Sequence, residues 1–291
     1  MSTPAAAAAP YAGQQHDAVR ATFELAWFRR LLPDLLREAG GGEVLDLGCG
    51  DGAVAGMAPG RLSRYLGVDL TAARAGRHPH HRVHHDLRGG LGPVGARPFD
   101  LYLATFGVAS HLSPDELRRL LADVSAHARP GAVVAFEALG LFSLEWPQLW
   151  DTAPGAARTI PYSLAADVLV HPWAPDELFA VFAQAGIEPL RAADRTLQAG
   201  PKTDGYWPGL PCVRGALNDL LDGSRDTAEA LSAPLPPLPA AEAALVHHTL
   251  AGRRRALAGR REASAAGVWA LEPETDGGFG HGLLVVGRVG A

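Results

Sequence analysis

Residues 43–53, EVLDLGCGDGA, constrain the fold more than any other stretch of the chain. Val44, Leu45 and Leu47 read as a buried strand. Gly48, Gly50 and Gly52 then break it into a turn, with Asp46 just before the turn and Asp51 inside it. By spacing, Gly48, Gly50 and Ala53 satisfy the G-x-G-x-x-[GA] pattern of dinucleotide binding. A glycine turn directly after a buried strand is a place where a chain holds a cofactor.

The segments that follow alternate between strand and helix. YLGVDL (65–70) is a short apolar run ending on Asp69, and HRVHHDL (81–87) a weaker one ending near Asp86. PFDLYLATF (98–106) reads as a buried strand, and RPGAVVAFEAL (129–139) as a turn and another. Between them, SPDELRRLLADVSAHA (113–128) opens with an N-cap serine and an acidic first turn, then runs at helical period. APDELFAVFAQAG (174–186) is a helix closed by glycine, IEPLRAADRTL (187–197) a strand after it, and GHGLLVVGRV (280–289) a last strand. Upstream, residues 15–38 read as an amphipathic helix with Phe23, Trp27, Leu31 and Leu35 on one face; Pro33 is expected to kink or restart it. Strands alternating with helices predict a doubly wound α/β fold, a mostly parallel sheet with helices on both faces.

Two stretches break the rhythm. Residues 140–173 hold Trp146, Trp150, Tyr162 and Trp173. Residues 198–279 hold a proline-rich linker, APLPPLPA (233–240), between helical segments near 212–222 and 240–261.

A chain of 291 residues with 47% hydrophobic and 20% charged content buries a full core. No apolar run approaches the roughly 20 residues of a membrane span. Residues 1–14 read as a disordered tail and not as a secretory signal. Cys49 and Cys212 form no disulfide framework, which fits a reducing cytoplasm. The net charge of −5 argues against a nucleic-acid partner, and the basic run RRRALAGRR (253–261) reads as a solvated helix face.

Charge decides which cofactor suits the glycine turn. A pyrophosphate there would face Asp51; two like charges about 4 Å apart repel by roughly 4 kcal/mol at an effective dielectric near 20. S-adenosylmethionine carries no phosphate, and its sulfonium and ammonium groups welcome carboxylates. Asp69 then suits the ribose hydroxyls and Asp86 the adenine amino group.

At these residues the sequence resembles the class I S-adenosylmethionine-dependent methyltransferases. VLDLGCGDG is similar to their first motif, with Asp46, Gly48, Cys49 and Gly50 in the cofactor-binding turn. YLGVDL resembles the second motif and implies contacts from Asp69 and Leu70; HHDL resembles the third and sets Asp86 and Leu87 against the adenine. FDLYLATFGVASHL resembles the fourth and implies that Thr105 and Phe106 line the cofactor near its methyl group. The resemblance implies a seven-stranded, Rossmann-like sheet. The core is expected to span 15–197, with 280–291 as a final strand antiparallel to the rest. The loop leaving the strand near 187–197 emerges at the carboxyl edge, so 198–279 is expected to form a helical cap over the acceptor site, a peripheral or oligomerising insert being the alternative.

The nucleic-acid and glutamine methyltransferases of this family carry an Asn/Asp-Pro-Pro-Tyr motif where this chain has Thr105-Phe106-Gly107-Val108, so a small-molecule acceptor is expected. His111, Glu137 and His171 lie at expected strand ends and are the candidate catalytic bases. Trp146, Tyr162, Tyr206 and Trp207 are the candidate walls of an aromatic acceptor pocket. The histidine tract with His78, His80, His81, His84 and His85 lies on the adenine side, and no metal is expected at the site. The expected partner is a small molecule, with no nucleic acid or membrane, and a homodimer is left open. The competing readings are a protein that binds S-adenosylmethionine for another reaction or for regulation, and a nicotinamide oxidoreductase.

Overall fold

The computed structural model describes residues 18–70, 81–143, 145–153, 155–156, 158–162, 165–194, 212, 214–221 and 280–290. Its strands are β1 (Glu43–Leu47), β2 (Arg64–Asp69), β3 (His81–His84), β4 (Leu101–Ala104), β5 (Val133–Leu139), β6 (Ile160–Tyr162), β7 (Ala165–Val170), β8 (Ile187–Asp194) and β9 (Gly282–Val289). The helices are α1 (Leu25–Ala39), α2 (Pro114–His127), α3 (Pro175–Gln184) and α4 (Arg214–Leu221).

Seven strands form one sheet in the order β3-β2-β1-β4-β5-β9-β8. Neighbours from β3 to β5 are parallel, while β9 runs antiparallel to both β5 and β8. β8 therefore points the same way as β1 to β5, and only β9 is reversed. This is the doubly wound, Rossmann-like sheet expected from the sequence, with a reversed final strand. All six parallel strands bring their carboxyl ends to one edge, where open α/β sheets hold ligands.

Side chains alternate between the two faces and build two cores. β1 sends Leu45 and Leu47 toward α2 and α3, whose Leu117, Leu120, Leu121, Val124, Leu178, Val181 and Phe182 cover that face. Val44 points the other way, toward Phe28, Leu32, Leu35 and Leu36 of α1. The seven residues of β5 are all buried, which explains their unbroken apolar reading apart from Glu137.

Three local expectations change. A π-helical turn, Arg20–Glu24, precedes α1, and the buried stripe of α1 is Phe28, Leu32, Leu35 and Leu36; Trp27 and Leu31 only pack at its margin. A strict i+4 ladder drifts by about 40° per step against the helix period, so Trp27, Leu31 and Leu35 do not share one narrow face. α1 also runs through Pro33 and stops at Gly40, which takes the left-handed conformation at φ 67°. Within the irregular stretch 140–173, the structure adds the antiparallel pair β6–β7. Both ends of that excursion are pinned to the end of β5, Leu141 N–H donating to Trp173 O at 2.8 Å and Trp173 N–H to Leu139 O at 2.8 Å.

Of the segment 198–279, α4 and Cys212 lie among the described residues, so its reading as a cap is taken up as a proposal below. α4 is tied to the N-terminal turn: Val19 N–H donates to Asn218 Oδ1 at 2.9 Å and Arg214 Nη1 to Glu24 Oε1 at 3.0 Å.

α2 begins with the expected N-cap serine, and Glu116 makes the cap reciprocal. Glu116 N–H donates to Ser113 Oγ at 3.3 Å and Ser113 N–H to Glu116 Oε2 at 2.7 Å. Ser113→Ala is expected to lower the unfolding free energy by about 1 kcal/mol, read from urea denaturation, with no change in the slope of the transition.

Candidate cofactor and acceptor site

The glycine turn crosses the end of β2. Gly48 N–H and Cys49 N–H both donate to Val68 O, at 2.7 and 3.1 Å. Gly48, Gly50 and Gly52 all have positive φ (75°, 53° and 76°), a region that side chains enter only at a cost. A Cβ on Gly48 would also lie 2.4 Å from Val108 Cγ2, whereas one on Gly50 would meet nothing within 4 Å. Backbone conformation and close packing against the β4 loop thus demand these glycines. Gly50 N–H donates to Asp69 Oδ2 at 2.7 Å and fixes the turn to the end of β2. Asp51 is exposed and its Oδ1 accepts from Ala53 N–H at 3.0 Å, a local Asx turn.

The acidic positions differ in environment. Asp46 is fully buried, its Oδ2 accepting from the Tyr65 hydroxyl at 2.5 Å. Burial, the largest influence, pushes its carboxyl up to about 7; the Tyr65 hydrogen bond works in the opposite direction. Burial likewise raises the Cys49 thiol, so this cysteine is inert as a nucleophile. Asp69 and Leu70 are half-buried at the end of β2. Asp86 is held by Arg88, whose Nε lies 3.0 Å from both carboxylate oxygens and whose Nη2 lies 2.6 Å from Oδ2. That bond keeps Asp86 below the ordinary carboxylate range. Leu87, just beyond, is buried.

After β4 the chain passes Thr105, which is buried, to Phe106, a non-glycine residue at φ 58°. Such a conformation costs on the order of 1–3 kcal/mol and persists only when its surroundings enforce it. Three contacts do so. Glu137 Oε2 accepts the Phe106 N–H. Phe28 packs against the ring at 5.0 Å, and the Arg20 guanidinium lies over it at 4.5 Å. Glu137 is fully buried, and this contact revises its reading as a base: it shapes the loop after β4.

The two candidate histidines come from different loops and meet through Ser110. His171 N–H donates to Ser110 O at 2.8 Å, and Ser110 Oγ accepts from Leu139 N–H at 2.8 Å. Burial holds both imidazoles at about 4; the Arg158 guanidinium adds to the effect at His171. A general base works best near the operating pH, so in this environment neither is tuned for proton abstraction. His111 stands edge-on to Tyr162 at 5.6 Å, which brings one expected aromatic wall beside one expected base. Trp146, by contrast, is fully buried with its Nε1–H donating to Gly140 O at 3.0 Å. It packs in a small core with Leu139, Val168 and Val170, so it offers a ligand no surface. Tyr206, Trp207, His78 and His80 lie outside the described residues. Among the described residues no cluster of histidine, cysteine and carboxylate side chains could hold a metal ion.

Sequence reasoning missed Tyr65, Ser110 and Arg20. It also missed the buried ion pair of Arg158 with Glu177, whose carboxylate accepts from Gly155 N–H at 2.9 Å and Ala174 N–H at 3.1 Å. Tyr65 and Gly67, two apart on one strand face, were a readable signal; the other contacts join segments far apart in sequence.

Two stability predictions follow from these contacts. Glu137→Ala leaves the Phe106 N–H without its acceptor and is expected to cost about 1–3 kcal/mol in chemical denaturation, with Glu137→Gln costing less because its amide oxygen still accepts. His111 and His171 have folded values below 6.5, so the unfolded chain binds more protons between pH 6.5 and about 4. Stability should therefore fall as pH drops through that window. Asp46 opposes them with one proton against two, its folded value lying above 3.8. Replacing both histidines by phenylalanine should remove the acid loss; an unchanged profile would contradict the assignment.

Comparison with known proteins places this geometry among solved folds. No protein-family model matches the chain, and no curated protein matches it in sequence. In structure it is similar to a S-adenosylmethionine-dependent methyltransferase from Clostridium acetobutylicum ATCC 824, with a TM-score of 0.51, 11% identity, and coverage of 94% of this chain and 95% of that one. A SAM-dependent methyltransferase from Archaeoglobus fulgidus aligns with a TM-score of 0.48 and 13% identity over 90% and 93% of the two chains. The 1,6-didemethyltoxoflavin-N1-methyltransferase of Burkholderia thailandensis aligns with a TM-score of 0.48 and 20% identity over 67% and 84%. At the identity of the first, the likeness is one of fold: this chain has the seven-stranded, Rossmann-like fold of the S-adenosylmethionine-dependent methyltransferases.

Proposed function

We propose that the protein is a methyltransferase that moves the methyl group of S-adenosylmethionine to an oxygen, nitrogen or carbon nucleophile of a small molecule. The observation that carries this reading is the row of carboxylates at the carboxyl edge. Asp46, Asp69 and Asp86 lie at or within two residues of the carboxyl ends of β1, β2 and β3, beside a glycine turn that carries Asp51 as well. A cofactor with a pyrophosphate is repelled there, whereas one with ammonium and sulfonium groups is attracted. That disfavours the oxidoreductase reading. The fold supports the choice.

In this reading Asp69 accepts the ribose hydroxyls, and Leu70, Asp86 and Leu87 border the adenine, with Asp86 sharing its carboxylate with Arg88. Gly48, Cys49 and Gly50 present backbone groups to the aminocarboxyl end, and Thr105 and Phe106 stand near the methyl. Methyl transfer is an in-line displacement whose catalysis consists largely of positioning and exclusion of water. Ser110, His111, His171 and Tyr162 then form the wall on the acceptor side, with the histidines as neutral hydrogen-bonding groups. We assign 198–279 to a cap over that wall, supported by the ties of α4 to the N-terminal turn, whose Arg20 reaches Phe106. Tyr206 and Trp207 are its candidate aromatic contacts. The insert suggests a role in specialised metabolism, and the free cysteines suit the cytoplasm.

The test is transfer of an isotopically labelled methyl group to a panel of phenols, amines and stabilised carbanions, read by mass spectrometry. The expected result is one product that is one methyl heavier, formed together with S-adenosylhomocysteine and lost in Asp69→Ala at limiting cofactor. Tight cofactor binding with no acceptor-dependent turnover would favour the non-methylating alternative.

A further inference from the structure

We propose that Tyr65 is a positioning residue of the cofactor site. It acts through Asp46, holding that carboxylate in one orientation behind the glycine turn so that its negative charge faces the cofactor's ammonium group. The inference rests on S-adenosylmethionine being the cofactor.

The geometry is specific to this pair of strands. In the β1–β2 register Tyr65 lies opposite Val44, and Asp46 lies opposite Gly67. The Tyr65 hydroxyl must therefore reach two positions forward along β2 to meet Asp46 Oδ2, which it does at 2.5 Å. Gly67 makes that reach available. A Cβ there would stand 3.5 Å from Tyr65 Cε1 and 2.5 Å from Cys49 Sγ, so any side chain would compete with the turn for the space beside the ring. The ring, the missing side chain and the turn cysteine, which lies between Gly48 and Gly50, thus pack together.

Asp46 is incomplete in this arrangement. It is fully buried, and among the described residues its second oxygen, Oδ1, accepts no hydrogen bond. A buried carboxylate oxygen without a donor is costly, and native chains tolerate one chiefly where function needs it. The charged groups around it come from each neighbouring element. Asp69 of β2 and Asp51 of the turn favour the protonated form, Arg82 of β3 favours the ionised form, and the Tyr65 hydroxyl favours the ionised form most among the groups that touch it. Burial outweighs them, so Asp46 changes charge near neutrality and the tyrosine bond decides how much of it is ionised. An ammonium group arriving at the turn prefers the ionised form.

Calorimetric titration with S-adenosylhomocysteine between about pH 6 and pH 9 tests this in four full-length proteins: wild type, Tyr65→Phe, Asp46→Asn and the double variant. At about pH 7, Tyr65→Phe should bind roughly tenfold more weakly than wild type, the equivalent of one charge-assisted hydrogen bond. The gap should close toward about pH 9, where Asp46 is ionised with or without its partner. In the Asp46→Asn background the same substitution should change affinity by less than about twofold at every pH. Titration of the ligand's own amino group is common to all four proteins and cancels. A pH-independent loss in Tyr65→Phe, or an equal loss in the Asp46→Asn background, overturns the proposal and leaves the ring a packing role. A wild-type chain that binds no S-adenosylhomocysteine fails the cofactor reading itself, and the positioning role falls with it. Should Tyr65→Phe not fold, the wild-type chain with carbon-labelled tyrosine answers by NMR. The ring carbon bearing the Tyr65 hydroxyl must follow the ionisation of Asp46, and its failure to do so is equally decisive.

Discussion

Two fully buried carboxylates on one face of the central sheet set the terms for the rest of the site. Asp46 lies one residue before the end of β1 and Glu137 lies in β5, both on the face covered by α1. Removing a carboxylate from water costs several kcal/mol unless a donor reaches it. The Tyr65 hydroxyl reaches Asp46, and the Phe106 N–H reaches Glu137. These bonds fix the two loops that matter most. The first sets what lies beneath the glycine turn after β1; the second holds the left-handed Phe106 after β4. Val108 of the β4 loop packs where a Gly48 side chain would be, so the two loops are also locked to each other.

From that pairing the site extends outward in a physical order. Asp69 ties the turn to β2 through Gly50, and Ser110 joins the β4 loop to β5 and to His171. The N-terminal turn closes over Phe106 with Arg20, and through Glu24 it reaches Arg214 of α4. Exposed ion pairs contribute little by themselves. Glu24, however, pairs with Arg20 on its own turn and with Arg214, 190 residues further along the chain, so its value lies in register between segments more than in energy. In the proposed site, stability and cofactor binding would draw on the same few buried polar contacts, so substitutions at Glu137 or Tyr65 are read most clearly by binding and unfolding measured together.

The sheet was legible because parallel strands buried on both faces leave unbroken apolar runs, as in LYLA of β4 and VVAFEAL of β5. α2 was legible from its N-cap serine, its acidic first turn and its helical period; the structure adds that Glu116 bonds back to Ser113. β6 and β7 were not, since Pro161 interrupts the first and the segment after β7 is anchored through Trp173 to Leu139, Gly140 and Leu141, some thirty residues earlier. For the cofactor side, Asp46, Gly48, Gly50 and Asp69 could be named because the turn is local and its glycines are forced by φ. On the acceptor side only residue types at strand ends were available. Burial separates those candidates: it seals Trp146 inside a core, gives Glu137 a backbone partner, and drives His111 and His171 to their neutral forms. None of these outcomes depends on neighbours in sequence.

The central claim is that carboxylates around a glycine turn select a cofactor without phosphates. Side-by-side calorimetric titration of the wild-type chain with S-adenosylhomocysteine and with NAD tests it most directly. The account predicts a saturable isotherm with a dissociation constant on the order of micromolar for the first ligand and no heat of binding for the second. Saturable binding of NAD with none of S-adenosylhomocysteine would contradict it, and the edge formed by Asp46, Asp69 and Asp86 would then have to accommodate a pyrophosphate.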